Sequence, residues 1–335
     1  MKKKIAFLSP AFFLLAVLIT PQWLLAGPYY EGKVVTIVVG STPGGGYDLM
    51  GRLFAKHIHK HIPGKPSIIV DNMAGGDGIV AANYLFHVAK PDGLTIACLN
   101  RALVFAQLLK VEGIRFDMTK FSWICASGVE SVLICIRGDL PYKSIYDLQK
   151  AEKTIFLGGQ GPPAVGTQFI KIATAFLRLN VKIVDYRGMS DTILALERKE
   201  VDGTAIAYNS RQNYIERGLL RPLLRTKVAN KGVENLPAAE ELINDKLGKN
   251  VMSLFGSISG VGKPFLAPPG VPTDMLKILR DAFAKALRDP ELQADAKKMG
   301  LELEYVPPED CLKVMNYILN QPPDIINEFS KYVKF

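Results

Sequence analysis

The sequence predicts an α/β protein with two lobes, each built on a mainly parallel sheet flanked by helices. Two observations carry this prediction. Short apolar strands alternate with amphipathic helices through almost the whole chain, which is typical of parallel sheets covered by helices. The roughly 310 residues that follow residue 26 also exceed what one hydrophobic core usually supports, so we expect two lobes.

The first lobe begins with short apolar runs separated by amphipathic segments. We expect strands at residues 34–39, 67–70 and 95–99. Between them we expect helices from Tyr47 to about His61 and from Ile79 to about Ala89. This alternation makes one complete α/β unit.

A second set of elements starts near Ser131. Its expected members are the strands 132–136, 154–157, 182–186, 203–207 and 220–224 and the helices 144–152, 164–178, 189–199 and 210–217. From about Val251 another strand and further helices indicate a return to the first lobe. We therefore expect lobe 1 to comprise residues 27–125 and 251–335 and lobe 2 to comprise residues 126–250, with crossovers near 120–130 and 230–255.

The clearest helix of the chain runs from Thr273 to about Arg288. Its apolar residues follow the i, i+3, i+4, i+7 spacing of a helix with one buried face. Thr273 is the predicted N-cap. Asp289-Pro290 then starts another helix, which Gly300 is expected to end.

The first residues have the pattern of a secretory signal. Lysines at positions 2–4 precede an uncharged, mostly apolar run from residue 5 to 19. We expect residues 1–26 to be a signal peptide cleaved after Ala26. An uncleaved membrane anchor is the alternative, because the uncharged stretch approaches the ~20 residues that a span requires. In either case the folded part is expected outside the cytoplasm.

The charge balance suits an anionic solute or an acidic partner, but an excess of this size is also common in other soluble proteins. The formal net charge is +9 for the whole chain, and removing the three lysines of the leader lowers it to +6. The sequence contains no lysine/arginine block and no basic stripe interleaved with aromatic residues. We therefore expect no nucleic-acid binding.

The four cysteines are Cys98, Cys125, Cys135 and Cys311, and no two of them form a Cys-x-x-Cys motif. This spacing predicts neither a zinc site nor a thioredoxin motif. A disulfide between Cys125 and Cys135 would be possible if residues 123–137 formed an antiparallel hairpin. The alternative is that the cysteines are buried free thiols.

Two glycine-rich loops each follow a predicted strand and precede a predicted helix. The first is Gly40-Ser-Thr-Pro-Gly-Gly-Gly-Tyr-Asp48, and the second is Asp71-Asn-Met-Ala-Gly-Gly-Asp-Gly78. Loops at the carboxyl ends of neighbouring parallel strands form the usual ligand crevice of an open α/β sheet. Their backbone N–H groups lie at helix N-termini, where an anion is stabilised. The first loop lacks the lysine of a P-loop, so we expect a carboxylate and not a nucleotide triphosphate.

These loops belong to an ordered set of motifs that resembles the substrate-binding receptors of tripartite tricarboxylate transporters, the TctC-like or Bug family. The matching positions are Gly44, Gly45, Gly46, Asp48 and Arg52, then Asn72, Gly75 and Gly78, then residues 90–95, 186–188, 201–202 and 267–272. The resemblance covers nearly the whole chain after the predicted leader. Each motif alone would be unspecific, and their order makes the resemblance specific.

The resemblance implies a two-lobed periplasmic binding protein of type II, a Venus flytrap. Such a protein captures a small carboxylate between its lobes and passes it to the membrane subunits of a transporter. It implies a periplasmic monomer that is not an enzyme and carries no cofactor or metal. A receptor that feeds a sensor protein is one alternative, and a secreted α/β enzyme is another.

Carried over residue by residue, the resemblance gives ligand contacts in both lobes. The expected residues are Gly45, Gly46, Tyr47 and Asp48 in the first loop, Gly75, Gly76 and Gly78 in the second, and Gln160, Gly161, Ala164, Arg187 and Asn209 in lobe 2. We expect Asp48 to orient its loop at the helix start more than to touch an anion.

Three departures from the family pattern bear on the ligand. Pro162 and Pro163 replace a hydroxyl and have no N–H to donate, which moves the expected contacts to neighbouring residues. Tyr47 stands where a small hydroxyl residue is common. Asp77 stands where glycine is usual and would repel a second carboxylate. An aromatic, mono- or dicarboxylic acid, or an amino acid whose ammonium meets Asp77, therefore fits as well as a tricarboxylate.

The sequence offers little support for an enzyme. It has four histidines, none of them in a glycine loop, and it lacks a Gly-x-Ser-x-Gly elbow. The run from Gly159 to Ala164 resembles a dinucleotide-binding fingerprint only superficially. His57, His59 and His61 do not have His-Glu-x-x-His spacing, so we interpret them as surface residues and not as metal ligands.

Overall fold

The structure is a computed structural model that describes residues 27–301 and 303–335, apart from the side chains of residues 210 and 211. The expected signal peptide, residues 1–26, lies outside the described residues. Within the described part of the chain, no helix has both the length and the apolarity that crossing a membrane requires.

The strands form two sheets. They lie at β1 Val34–Val39, β2 Ser67–Asn72, β3 Thr95–Cys98, β4 Ser122–Ser127, β5 Val132–Arg137, β6 Ile155–Gly159, β7 Val181–Asp185, β8 Gly203–Ala207, β9 Leu220–Arg225, β10 Pro264–Ala267 and β11 Tyr305–Val306. The first sheet has six strands in the order β11-β4-β10-β3-β1-β2, and the second has five in the order β7-β6-β8-β5-β9.

Helices flank both sheets. They lie at α1 Gly46–His57, α2 Ile79–His87, α3 Leu103–Leu108, α4 Ile145–Gln149, α5 Val165–Leu177, α6 Met189–Glu197, α7 Tyr208–Glu216, α8 Ala239–Leu242, α9 Lys246–Ser257, α10 Thr273–Ala286, α11 Pro290–Lys298, α12 Pro308–Leu319 and α13 Pro323–Tyr332. Short 3₁₀ turns occupy Ile58–His61, Gly76–Gly78 and Ile258–Gly260.

The predicted α/β class is confirmed, but the sheets are mixed where the sequence predicted mainly parallel ones. In the first sheet β1 is parallel to β2 and β3, whereas β10 is antiparallel to both β3 and β4. In the second sheet β6 is parallel to β7 and β8, whereas β5 is antiparallel to β8 and β9. Strands β1, β2 and β6 each belong to a parallel pair and are each followed by a glycine-rich loop, as the sequence predicted.

The chain passes between the sheets twice. It leaves the first sheet after β4 and enters the second at β5, and it returns after β9 to form β10. The two crossovers touch where the N–H of Gly262 donates to the carbonyl of Gly128 at 2.8 Å. A Cβ on Gly262 would lie 2.5 Å from that oxygen, so this contact requires glycine. The residue limits of the two lobes stay a prediction.

Aromatic side chains fill the cores. In the first sheet Phe54 of α1 lies 4.6 Å from Phe265 and 4.9 Å from Phe283, measured between ring centroids. Helix α9 connects the two halves, because the ring of its Phe255 stacks on Phe105 of α3 at 6.0 Å and on Phe169 of α5 at 5.8 Å. This burial fixes the helices whose first turns surround the candidate site.

The C-terminal helices follow the predicted pattern closely. Helix α10 buries the stripe that the periodicity indicated, with Leu279 and Phe283 fully enclosed. Its N-cap is Pro272, so the prediction of Thr273 as N-cap is wrong by one residue. Asp289 caps α11 by accepting from the N–H of Glu291.

The predicted alternative of a hairpin at residues 123–137 is wrong. Cys125 lies in β4 of the first sheet and Cys135 in β5 of the second, and these strands pair with different neighbours. All four cysteines are buried and free. The interpretation as buried thiols is therefore the correct one.

Candidate functional site

A cavity of about 240 Å³ lies between the two sheets. Residues from the first sheet's loops, from the second sheet's loops and from both crossovers contribute to its wall. The lining residues are Gly46, Tyr47, Asp77, Asn100, Arg101, Glu130, Gln160, Pro163, Ala164, Val165, Gly166, Met189, Ala205, Ala207 and Lys263.

The first glycine loop reaches the cavity through the start of α1. Gly45 is the extended N-cap residue and its helix has no side-chain cap. Gly46 and Tyr47, the first two helical residues, line the cavity. The N–H groups of a first helical turn have no partner within the helix. This turn therefore faces the cavity with the positive end of its dipole.

Asp48 does not line the cavity but holds the first loop in place. It is 1% exposed and accepts hydrogen bonds from the N–H of Gly44 at 2.8 Å, Arg52 Nε at 3.0 Å and Asn72 Nδ2 at 2.9 Å. Burial opposes ionisation of the carboxyl, but these hydrogen bonds together bring its pKa below the ordinary value. The expected orienting role agrees with these contacts.

The glycines of the second loop shape the backbone, and Asp77 is the member that lines the cavity. Gly75, Gly76 and Gly78 have φ angles of 143°, 53° and 100°, in a region that favours glycine. Asp77 itself has a φ of 52°. None of the three glycines is a lining residue of the cavity.

A chain of polar contacts runs along the first-sheet wall. Asn100 Nδ2 donates to Asp77 Oδ2 at 2.7 Å, and the Tyr47 hydroxyl donates to Asn100 Oδ1 at 3.1 Å. The N–H of Arg101 in turn donates to the Tyr47 oxygen at 3.2 Å. Burial raises the pKa of Tyr47, so its hydroxyl keeps its proton at neutral pH. Desolvation raises the pKa of Asp77 to about 6, against the opposing effect of the Asn100 hydrogen bond.

Helix α5 provides the facing wall from the second sheet. Ala164 is its N-cap residue, the helix has no side-chain cap, and Val165 and Gly166 line the cavity. A Cβ on Gly166 would lie 2.8 Å from the carbonyl oxygen of Ala205, so glycine permits α5 to lie close against β8. Gln160 lines the cavity, and its Nε2 lies 3.4 Å from the Thr192 hydroxyl to which it donates.

The remaining expected contacts of lobe 2 lie elsewhere. The N–H of Gly161 donates to Asp185 Oδ1 at 3.0 Å, and Gly161 is not a lining residue. Arg187 is exposed and also lies outside the lining set. Asn209 is buried and donates to the carbonyl of Val129 in the first crossover at 3.0 Å.

The structure thus brings together Gly46, Tyr47, Gln160 and Ala164 of the expected residues. Gly45, Asp48, Gly75, Gly76, Gly78, Gly161, Arg187 and Asn209 are not in the lining set. Direct contact with a ligand stays a prediction for each of them.

Sequence reasoning missed a buried charged cluster in the cavity wall, formed by Arg101, Glu130 and Lys263. Glu130 Oε2 lies 3.3 Å from Arg101 Nη1, and Glu130 Oε1 lies 2.8 Å from Lys263 Nζ. The three side chains are between 3% and 6% exposed. No motif joins these residues in the sequence, because Arg101 follows β3 whereas Glu130 and Lys263 lie in different crossovers, and they meet only in the folded chain.

Two of the histidines contact carboxylates, and the interpretation of His57 as a surface residue is wrong, because it is 4% exposed. His57 Nε2 lies 3.0 Å from Asp295 Oδ2, and His61 Nε2 lies 2.8 Å from Asp289 Oδ2, which joins α1 and its following turn to α11. Among residues 27–301 and 303–335, no group of three or more His, Cys, Asp or Glu side chains is placed to hold a metal ion.

Residues 51–330 match the TctC family model, described as the tripartite tricarboxylate transporter family receptor. The chain belongs to this receptor family. A UPF0065 protein encoded in the gbd 5′ region of Cupriavidus necator is 26% identical to the receptor over 283 residues, which are 83% of this chain and 81% of the relative. The resemblance seen in the sequence is therefore confirmed.

Solved structures share the receptor's fold. A TctC solute-binding protein from Polaromonas has a TM-score of 0.69 at 20% identity, covering 89% of this chain and 99% of its own. A Rhodopseudomonas palustris protein with adipate has a TM-score of 0.67 at 21% identity, covering 89% and 97%. Malate-bound MatC from the same organism has a TM-score of 0.65 at 18% identity, covering 88% and 99%. These likenesses support the two-lobed fold, and membership in a receptor family confirms that the chain is not an enzyme.

Proposed function

We propose that this receptor captures a small organic carboxylate in the cavity between its sheets and delivers it to the membrane subunits of a tripartite transporter. The observation that carries the proposal is the convergence of helix N-termini on one cavity. Helices α1, α5 and α6 place first-turn residues in the cavity wall, and Ala207, the N-cap residue of α7, also lines it. Among the described side chains, none caps any of these four N-termini.

This arrangement suits an anion. Each helix N-terminus stabilises a nearby negative charge by about 0.3–1 kcal/mol, and each charge-assisted hydrogen bond adds about 1.5–3 kcal/mol. Three or four such contacts, less the cost of ordering, reach about −8 kcal/mol, which corresponds to micromolar affinity. That affinity suffices for a receptor that scavenges a nutrient.

The cavity favours a small solute. Its volume of about 240 Å³ lies below the roughly 300–1,000 Å³ of pockets that hold drug-sized ligands. Malate in one solved relative and adipate in another are acids of suitable size. We therefore propose a mono- or dicarboxylic acid, or an amino acid, as the solute class.

The cellular setting is part of the same proposal. The lysine-rich apolar leader predicts export, and the family's receptors serve a membrane transporter. We infer that the receptor works in the periplasm as a monomer that presents its closed lobes to the transporter. Only the family assignment supports this partner.

The test is a thermal-stability screen of the protein lacking residues 1–26 against mono-, di-, tri- and aromatic carboxylates and amino acids. A solute present at 100 times its Kd should raise the free energy of unfolding by about 2.7 kcal/mol. Isothermal titration of the strongest hits then gives their Kd values. The proposal fails if no acid stabilises the protein or if uncharged sugars stabilise it equally well.

A further inference from the structure

The charged cluster of Arg101, Glu130 and Lys263 joins three separate parts of the chain at the cavity wall. Arg101 follows β3, Glu130 lies in the first crossover, and Lys263 lies at the end of the second crossover just before β10. All three residues line the cavity. The cluster therefore stands where the two sheets are connected and where a bound solute would lie.

Backbone contacts hold this cluster in place. Arg101 Nη1 also donates to the carbonyl of Val261 at 3.0 Å, and the N–H of Glu130 donates to the carbonyl of Ser259 at 2.9 Å. The carbonyl of Lys263 accepts from the N–H of Ser127 at 3.1 Å. Hydrogen bonds to backbone groups thus hold the Arg101 guanidinium and the backbones of Glu130 and Lys263.

The described cluster carries more positive than negative charge. Two cations share one carboxylate, and an unbalanced charge taken out of water is costly unless a counter-charge approaches. The other described carboxylate in the lining is that of Asp77, which accepts a hydrogen bond from Asn100 Nδ2 at 2.7 Å. The cluster itself therefore presents one excess positive charge at the wall of a cavity that is large enough for a small acid, and ionised Asp77 offsets that charge only in the cavity as a whole.

We propose that Arg101 and Lys263 bind a carboxylate of the solute directly and so determine the receptor's preference for acids over their uncharged analogues. This inference rests on the proposed function and adds a specific charged site to the helix N-termini. Glu130 positions the two cations and limits their net charge. The solute is consequently an acid with a carboxylate at the crossover end of the cavity.

A purely structural role for the cluster gives a different expectation. If the cluster only tied the crossovers together, removing any member would weaken binding of acids and amides alike. If it binds a carboxylate, the acid-over-amide preference should follow the net charge of the cluster. The preference is therefore the quantity to measure.

The experiment measures Kd by titration for malate, succinate, adipate and benzoate, each beside its uncharged amide. Lys263→Met lowers the net charge of the cluster, so the acid-over-amide preference should fall by about tenfold to a hundredfold, the equivalent of one charge-assisted hydrogen bond. Lys263→Arg keeps the charge and should keep the preference. Glu130→Gln raises the net charge and should increase the preference.

A double variant distinguishes the effect of lost charge from an effect of misfolding. Lys263→Met leaves Glu130 with one fewer cation, whereas Lys263→Met combined with Glu130→Gln restores the excess of one positive charge. This double variant should recover part of the preference lost in Lys263→Met. Circular dichroism of every variant verifies the fold before titration.

The outcomes separate the two proposals. If the preference follows the charge series, the inference is supported. If acids and amides lose affinity equally, or if the preference does not change, the inference is overturned and the proposed function stands. If the wild type binds none of these acids and no other carboxylate of the thermal screen, the proposed function itself is contradicted.

Discussion

Asn72 Nδ2 donates to Asp48 Oδ1 at 2.9 Å and joins the two glycine loops of the first sheet. The same amide also donates to the carbonyl of Ser41 at 3.0 Å, and Arg52 Nη2 donates to Asn72 Oδ1 at 3.0 Å. The loops therefore form one connected unit. A solute held by the first turn of α1 depends on this unit although none of Asp48, Asn72 and Arg52 lines the cavity.

Asp48→Ala should destabilise the protein and weaken solute binding together. The change removes the acceptor of the Gly44 N–H and one of the two acceptors of the Asn72 amide, and a hydrogen bond to a charged group contributes about 1.5–3 kcal/mol. Urea denaturation measures this loss in the unliganded protein. The control is Asp281→Ala, which removes an exposed i,i+4 partner of Lys277 and should cost about 0.5 kcal/mol or less. Equal effects of the two changes would contradict the joining role of Asp48.

Gly46→Val should lower solute affinity about tenfold to a hundredfold while the unliganded protein stays folded. The branched side chain blocks approach to the first-turn amides of α1, and one charge-assisted hydrogen bond is worth about 1.5–3 kcal/mol. Titration with the best acid of the thermal screen measures the change. Leu49→Val introduces the same side chain at an exposed position of the same helix and should leave the Kd unchanged. Unaltered binding by Gly46→Val would show that this turn does not contact the solute.

Gly166→Ala should reduce stability by about 1–3 kcal/mol, because the new methyl group would crowd the Ala205 carbonyl and push α5 away from β8. Thermal denaturation checks this value. Gly188→Ala is the matched control, since its Cβ would meet nothing within 4 Å and its backbone is extended, so its effect should be small. A neutral Gly166→Ala would mean that the helix moves without cost.

The charge of Asp77 should make binding depend on pH. The pKa of its carboxyl is raised to about 6, so the group is mostly ionised at pH 7 and mostly neutral at pH 5. An acid without an ammonium group should therefore bind more tightly at pH 5, because repulsion disappears, whereas an amino acid should bind less tightly. Titration at both pH values separates these solute classes.

Asp77→Asn supplies the control for this pH effect. It should remove the difference between pH 5 and pH 7 and retain the hydrogen-bonding shape of the side chain. A difference that persists in Asp77→Asn would assign the effect to another group.

Glu240 should lower the stability of the protein as the pH rises. It is 2% exposed, its Oε1 accepts from the N–H of Lys227 at 3.1 Å, and burial raises its pKa from 4.5 to about 7. The folded state keeps this proton when the unfolded state has lost it, so stability falls between about pH 4.5 and 7 by up to about 3 kcal/mol. Glu240→Gln should flatten this dependence in urea denaturation curves. Glu241→Gln, the exposed neighbour, should not.

Much of the fold could be predicted from the sequence, because the hydrophobic periodicity of an element and the residues that end it are local signals. The apolar run 34–39 and the amphipathic stripe of α10 lie where they were expected. The sequence left a hairpin at residues 123–137 open as an alternative, because two apolar runs follow each other there and nothing local indicates which partner a buried strand takes. Antiparallel β10 likewise depends on a return that only the folded chain shows.

Some residues of the candidate site could likewise be predicted from local sequence, and others could not. The family resemblance placed Gly46, Tyr47 and Ala164 at the ligand, and these residues line the cavity at the starts of helices that follow parallel strands. The sequence could not predict which backbone amides are free to bind a ligand. The N–H of Gly161, for example, donates to the Asp185 side chain instead. The cluster around Glu130 could not be predicted either, because its members are far apart in sequence and no periodic pattern encodes contacts of that range.

The junction of Gly128 and Gly262 has a practical consequence for redesign. The crossovers meet there through backbone atoms, with no room for a side chain on Gly262, so this contact does not use any side chain of the cavity wall. Cavity-lining side chains such as Pro163 and Met189 could be exchanged to accept a new metabolite without changing this junction. A library for a biosensor should therefore randomise residues of the cavity wall and keep Gly128 and Gly262.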